Sequence, residues 1–188
     1  MNHQLLCASA AALALAQAAL AADFDAAHVR KLADQPDDRS SVAAEMRLFP
    51  SASEYDIEFT ATGPGREPYQ TPVIKATERL VQGKYLVTRF RPPDAADDLI
   101  MVVFYDQSER CYKKFVLAPD GTVSSSIGTR TGDSRSLSWV TQVDGERVIL
   151  CQEQHGDEQV TWREVFIMNG KVVQIVDGVA TITKRPAS

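Results

Sequence analysis

Three cysteines and three histidines are all that this 188-residue chain offers for thiolate or imidazole chemistry. His3 and Cys7 fall in the N-terminal leader described below, which leaves His28, His155, Cys111 and Cys151. That set is too small and too scattered for a structural zinc site, so no metal and no cofactor is expected. No Gly-x-Ser-x-Gly elbow occurs, and an α/β-hydrolase nucleophile is unsupported. No Gly-rich loop leads into a helix to cradle phosphate. Basic residues number 20 against 25 acidic, for a net charge of −5 with the signs interspersed. That balance lacks the basic stripe of a nucleic-acid binder, and its mild acidity serves mainly solubility. Beyond the leader no apolar run approaches the roughly 20 residues of a membrane-spanning helix. From Ala52 to Lys184 no stretch of ordinary helix length appears either.

The leader sets the compartment. Leu5 to Leu20 is rich in Ala and Leu and ends in Ala19-Leu20-Ala21, a small-x-small cleavage pattern followed at once by Asp23 and Asp25. This predicts a signal peptide over residues 1–21, cut after Ala21 or else Ala22, and a periplasmic or secreted mature chain. The segment before the apolar stretch has no Lys or Arg, only the amino terminus and His3. The alternative is an Ala-rich helix retained on a cytosolic protein. The two cysteines that remain could form one disulfide in an oxidising space. Three strands separate them in the topology below, so unpaired, buried thiols are expected.

The mature chain of about 167 residues suits one domain with a real core. Residues 22–50 read as a helical or extended N-terminal segment. Phe24, His28 and Leu32 recur at helical spacing after a possible Asp25 cap, Gln35 to Arg39 is a polar break, and Ser40 to Phe49 is ambiguous between helix and strand. Residues 51–188 read as strands. Tyr55, Ile57, Phe59 and Ala61 alternate with Asp56, Glu58 and Thr60. Nine further segments follow: Val73–Val81, Tyr85–Phe90, Leu99–Tyr105, Arg110–Leu117, Thr122–Arg130, Ser136–Gln142, Arg147–Glu153, Gln159–Met168 and Lys171–Lys184. Turn dipeptides such as Gln82-Gly83, Asp120-Gly121, Asp144-Gly145 and Asn169-Gly170 separate them. Short loops enforce antiparallel pairing of neighbours. An open meander of about ten strands would expose two edges, and closure removes them. The expected fold is an all-β, antiparallel, up-and-down calycin- or lipocalin-like barrel with a short N-terminal helical segment.

Four segments resemble a known family. Tyr55-Asp56-Ile57-Glu58 stands where that family starts its first strand with Gly-x-Trp. Glu78-Arg79-Leu80-Val81-Gln82-Gly83-Lys84-Tyr85-Leu86 resembles its Arg-x-x-x-Gly-Gly-(Arg/Lys)-(Phe/Tyr)-Leu segment. Phe104-Tyr105-Asp106-Gln107-Ser108-Glu109-Arg110 resembles its (Gly/Phe)-Tyr-Asp-x-x-x-(Lys/Arg) turn. Trp162-Arg163-Glu164-Val165 resembles its Tyr-Arg-(Asp/Glu)-Val strand. The family is the bacterial domain of unknown function 1579 family. The usual first-strand Trp is Tyr55 here and the usual Gly-Gly is Gln82-Gly83. The resemblance implies a calycin or lipocalin-like barrel, often behind a signal peptide, and assigns no catalytic residue.

Aromatic residues spread over many of the expected strands either fill a small barrel or line a cavity for one apolar ligand. Tyr55, Tyr85, Phe115, Trp139 and Trp162 are the candidate ligand-binding residues of the interior. Both indoles are expected to face inward. Arg89, Lys113 and Arg163 are expected to point outward, and His155 to sit in a solvated turn. The expected function is binding of a small hydrophobic ligand without catalysis. The alternatives are a structural or protein-interaction barrel without ligand, and an enzyme whose site is built from scattered wall residues. N-terminal sequencing of protein from the cell envelope is expected to begin at Ala22 or Asp23. An intact Met1 on cytosolic material would overturn the export reading.

Overall fold

All the expected strands form, and each pairs with its neighbour in an antiparallel ladder. In a computed structural model of the chain, residues 24–93, 95–132, 135–143 and 145–186 are described. The leader lies outside them, as do the turn residues Asp133 and Asp144. Eleven strands run in chain order: β1 (Glu54–Gly63), β2 (Arg66–Gln70), β3 (Ile74–Val81), β4 (Tyr85–Phe90), β5 (Leu99–Asp106), β6 (Cys111–Leu117), β7 (Val123–Arg130), β8 (Ser136–Gln142), β9 (Arg147–His155), β10 (Gln159–Met168) and β11 (Lys171–Lys184). β11 returns to pair with β1, so ten strands close a barrel and β2 is appended to it.

β2 is the strand that sequence patterning missed. It is exposed at every position and contains Pro68, both poor signals for a strand. It hairpins back on the second half of β1, with Ala61 opposite Tyr69, while the first half of β1 pairs with β3. Two tight turns follow the chemistry read from the sequence. Asn169 and Gly170 both have positive φ, as do Gln82 and Gly83, the mirror-image turn that matches strand twist. Gly83 is required twice over. A Cβ there would lie 1.7 Å from the Ser41 carbonyl oxygen.

The N-terminal segment is built onto the barrel. Helix α1 (Ala26–Ala33) is capped by the Asp25 side chain, which accepts from the His28 N–H at 2.8 Å. Eight residues cannot hold a helix in water on their own, so packing must supply the stability. Its buried stripe is Val29, Leu32 and Ala33, with His28 exposed. This stripe covers the outer faces of β4, β5 and β6, where Val87, Val102 and Phe115 stand in one cross-strand row. Phe24, just ahead of the helix, stacks on Phe104 at 5.2 Å and Phe115 at 4.5 Å. The central strands are therefore buried on both faces, which is why Leu99 to Tyr105 reads as an apolar run without alternation.

Residues 37–48 close one end of the barrel. Leu80 N–H donates to Asp37 Oδ1 at 2.7 Å, and Ala43 N–H donates to the Gly83 carbonyl at 3.0 Å. A 3-10 helix, Ala44–Leu48, then inserts Met46 and Leu48 among inward side chains of β3, β4, β5, β6 and β8. Tyr112 Oη donates to the Glu45 carbonyl at 2.9 Å and holds this plug in place.

Truncation of Phe24 to Ala is expected to cost about 3 kcal/mol, the usual scale for emptying an aromatic site. Urea denaturation measures it, and loss of the outer helix should appear as faster amide exchange at Val29 to Ala33 alone.

Candidate functional site

Cross-strand register decides which side chains share the inner wall. Tyr112 on β6 faces Gly128 on β7, Gly128 faces Trp139 on β8, Trp139 faces Cys151 on β9, and Cys151 faces Glu164 on β10. Side chains two residues along each strand join the same wall. Trp139 and Trp162 both face inward, and each ring lies over the glycine directly opposite. A Cβ on Gly128 would come within 2.5 Å of the Trp139 ring, and one on Gly178 within 2.1 Å of the Trp162 ring. Glycine is needed at both positions for close approach rather than for backbone freedom.

The five candidate residues do not all meet. Tyr55, Trp139 and Trp162 are on the inner wall. Tyr85 and Phe115 are not, which corrects the expectation that they line the interior. They stand on the outer faces of β4 and β6, against Phe24 and Phe104 under the N-terminal segment. The physical reason is the second buried face. An aromatic residue in a strand points to a core, but here two cores exist, one on each side of the sheet. Arg89, Lys113 and Arg163 point outward as expected, paired with Asp34, with Asp106 and Glu109, and with Asp177.

A polar cluster that sequence reading missed sits inside. Lys114 is next to outward Lys113, so it faces inward, and it is almost fully buried. Its Nζ lies 3.0 Å from Glu153 Oε1 and 4.4 Å from the centre of the Trp139 ring. Burial works against the charge on both partners, and their mutual attraction outweighs it. Lys114 is raised above its ordinary value, while Lys114 and the neighbouring His155 hold Glu153 down to about 2. Removing either partner would strand a buried charge at a cost of about 3–5 kcal/mol. No sequence signal separates Lys114 from Lys113, because neighbouring positions on both faces of β6 are buried.

Three further groups surround the pair. His155 is buried rather than solvated: it ends β9 beneath Phe49, the rings 4.9 Å apart. Its Nε2 lies 3.3 Å from Glu153 Oε2, within ion-pair reach but outside hydrogen-bond geometry. The Trp139 indole N–H faces Glu153 closely enough to lower that carboxyl, also outside hydrogen-bond geometry. Glu164 is half-buried, and burial first and Glu153 second push its carboxyl up, with Lys114 opposing. Above them Ser126 and Thr141 share a 2.6 Å hydrogen bond across β7 and β8. Among the described residues this arrangement brings together charge and donors but no nucleophile aligned with a base. Both cysteines are free and buried. They lie on opposite faces, with Cys151 inward and Cys111 outward beside Lys113. Burial holds both thiols above the ordinary value, well above it for Cys151.

A second inner carboxyl is Glu78. Tyr55 Oη donates to its two oxygens at 3.3 and 3.2 Å, and Thr88 stands opposite. Burial pushes Glu78 up to about 8, against the pull of Arg39 and the tyrosine hydroxyl. The folded carboxyl keeps its proton where the unfolded one, near 4.5, has lost it. This stabilisation is complete below about 4.5 and is lost as pH rises to about 8. Wild type is therefore expected to lose on the order of 3 kcal/mol between pH 5 and 8 relative to Glu78→Gln, as measured by denaturant titration at both pH values.

No protein-family model and no curated protein sequence matches the chain, so its functional reading stands on the geometry of the inner wall.

Proposed function

We propose that the protein is an exported barrel that binds a small, largely apolar ligand through the end away from the 3-10 plug. Graded burial along the inner wall carries this reading. Toward the plug the inward residues Leu80, Leu86, Val103, Tyr112, Leu137 and Trp139 are all buried. Toward the other end Phe59, Phe90, Met101, Val116, Ile149 and Phe166 face the same interior and are all only partly buried. Half-covered apolar side chains converging on one opening are what a guest of matching character would cover. The Lys114–Glu153 pair forms a charged floor beneath them. The signal peptide of residues 1–21 and membership of the bacterial domain of unknown function 1579 family belong to the same proposal, supported by the leader and by the four segments quoted above.

The neutral fluorophore N-phenyl-1-naphthylamine is expected to bind wild type, with enhanced emission, and to be displaced by a lipid extract of the cell envelope. Met101→Arg at the opening should abolish the signal, while Gln152→Arg on the exposed outer face of β9 should not. If wild type binds neither probe nor extract, the structural-barrel reading replaces this one.

A further inference from the structure

We propose that the polar end of the ligand is a cation, a protonated or quaternary amine, held by Glu164 between Trp162 and Phe166. The proposal rests on the open-cup reading and names the chemistry that the cup accepts. Trp162, Glu164 and Phe166 alternate along β10, so the three side chains stand side by side on its inner face. Glu164 has no hydrogen bond and no ion pair among the described residues, which sets it apart from the other two inner carboxyls. Glu153 is satisfied by Lys114, and Glu78 by Tyr55. An unpaired carboxylate flanked along the strand by two aromatic side chains suits an ammonium group, which gains Coulomb attraction from the carboxylate and cation–π attraction from the rings.

The wall already shows this preference with a side chain of its own. Lys114 places its ammonium over the Trp139 ring and against Glu153. With those contacts made, Lys114 is not free to receive an acidic head group. Such a group would meet the unpaired carboxylate of Glu164 instead. Arg147 shares this face but lies further along, at the exposed start of β9 opposite Met168.

Three probes with one naphthyl body separate the outcomes: 1-naphthylmethylamine, protonated at neutral pH, neutral 1-naphthylmethanol, and anionic 1-naphthylacetate. Equilibrium dialysis at pH 7 with the full mature chain is expected to rank the amine about tenfold tighter than the alcohol and the acetate weakest, the scale of a partly desolvated ion pair with cation–π support. Glu164→Gln should erase the amine's advantage and leave the alcohol unchanged, so the alcohol also reports that the variant folds. Glu164→Leu should do the same. Acetate binding as tight as the amine, or an amine preference that survives both substitutions, would overturn the head-group proposal while leaving the cup intact. Failure of all three probes to bind wild type would overturn the cup and the head-group assignment together.

Discussion

Everything in this molecule depends on β1 pairing with β11. Nine residue pairs join the first and last strands, from Glu54 with Lys184 to Thr62 with Ile175. Without them the meander would be an open sheet with two edges, and its inward side chains would have no interior to enter. Closure also locks the register. A slip by one residue on any strand would exchange its inner and outer side chains. Lys114 would leave Glu153 for the outer face, and apolar Phe115 would take its place. β1 serves this role while dividing its other edge between β3 and β2.

Closure creates a confined interior, and the confined interior explains its unusual contents. A lysine and two deeply placed carboxyls on the inner wall would be expensive in an apolar medium unless each were matched. Lys114 and Glu153 match each other, and Tyr55 satisfies Glu78, which burial keeps protonated near neutral pH. The Trp–Gly pairs work in the same confined space. Gly128 and Gly178 let the Trp139 and Trp162 rings lie close against the wall.

The two ends are finished differently. At one, the segment between α1 and β1 is stitched to the β3–β4 turn by backbone hydrogen bonds and inserts Met46 and Leu48 as a plug. At the other, the inward apolar side chains stay partly uncovered. The same N-terminal segment covers the outer face of β4 to β6 with Phe24 and α1. Residues 24–50 therefore complete two cores at once.

Strand order, tight turns and barrel closure were legible in the sequence because each is a local matter. Alternation marks a half-buried strand, Gln82-Gly83 and Asn169-Gly170 set the hairpins, and short loops leave neighbours no choice but to pair. The inward placement of Tyr55, Trp139 and Trp162 followed from the same alternation. The helix was also legible, though its buried stripe proved to be Val29, Leu32 and Ala33 rather than one running through His28. Only the tertiary structure could decide the rest. The faces of β4 and β6 are both apolar, so nothing local says that Phe115 lies under α1 or that Lys114, not Lys113, is the inner cation. His155 looks like a turn residue until Phe49 arrives from over a hundred positions earlier to bury it. Glu164 is pushed up first by its burial, and Lys114 and Glu153, which oppose and add to that push, come from other strands. Alternation along a strand is written in neighbouring residues. Which face has a partner, and which charge finds an opposite, depends on chain segments far apart in sequence that meet only when the barrel closes.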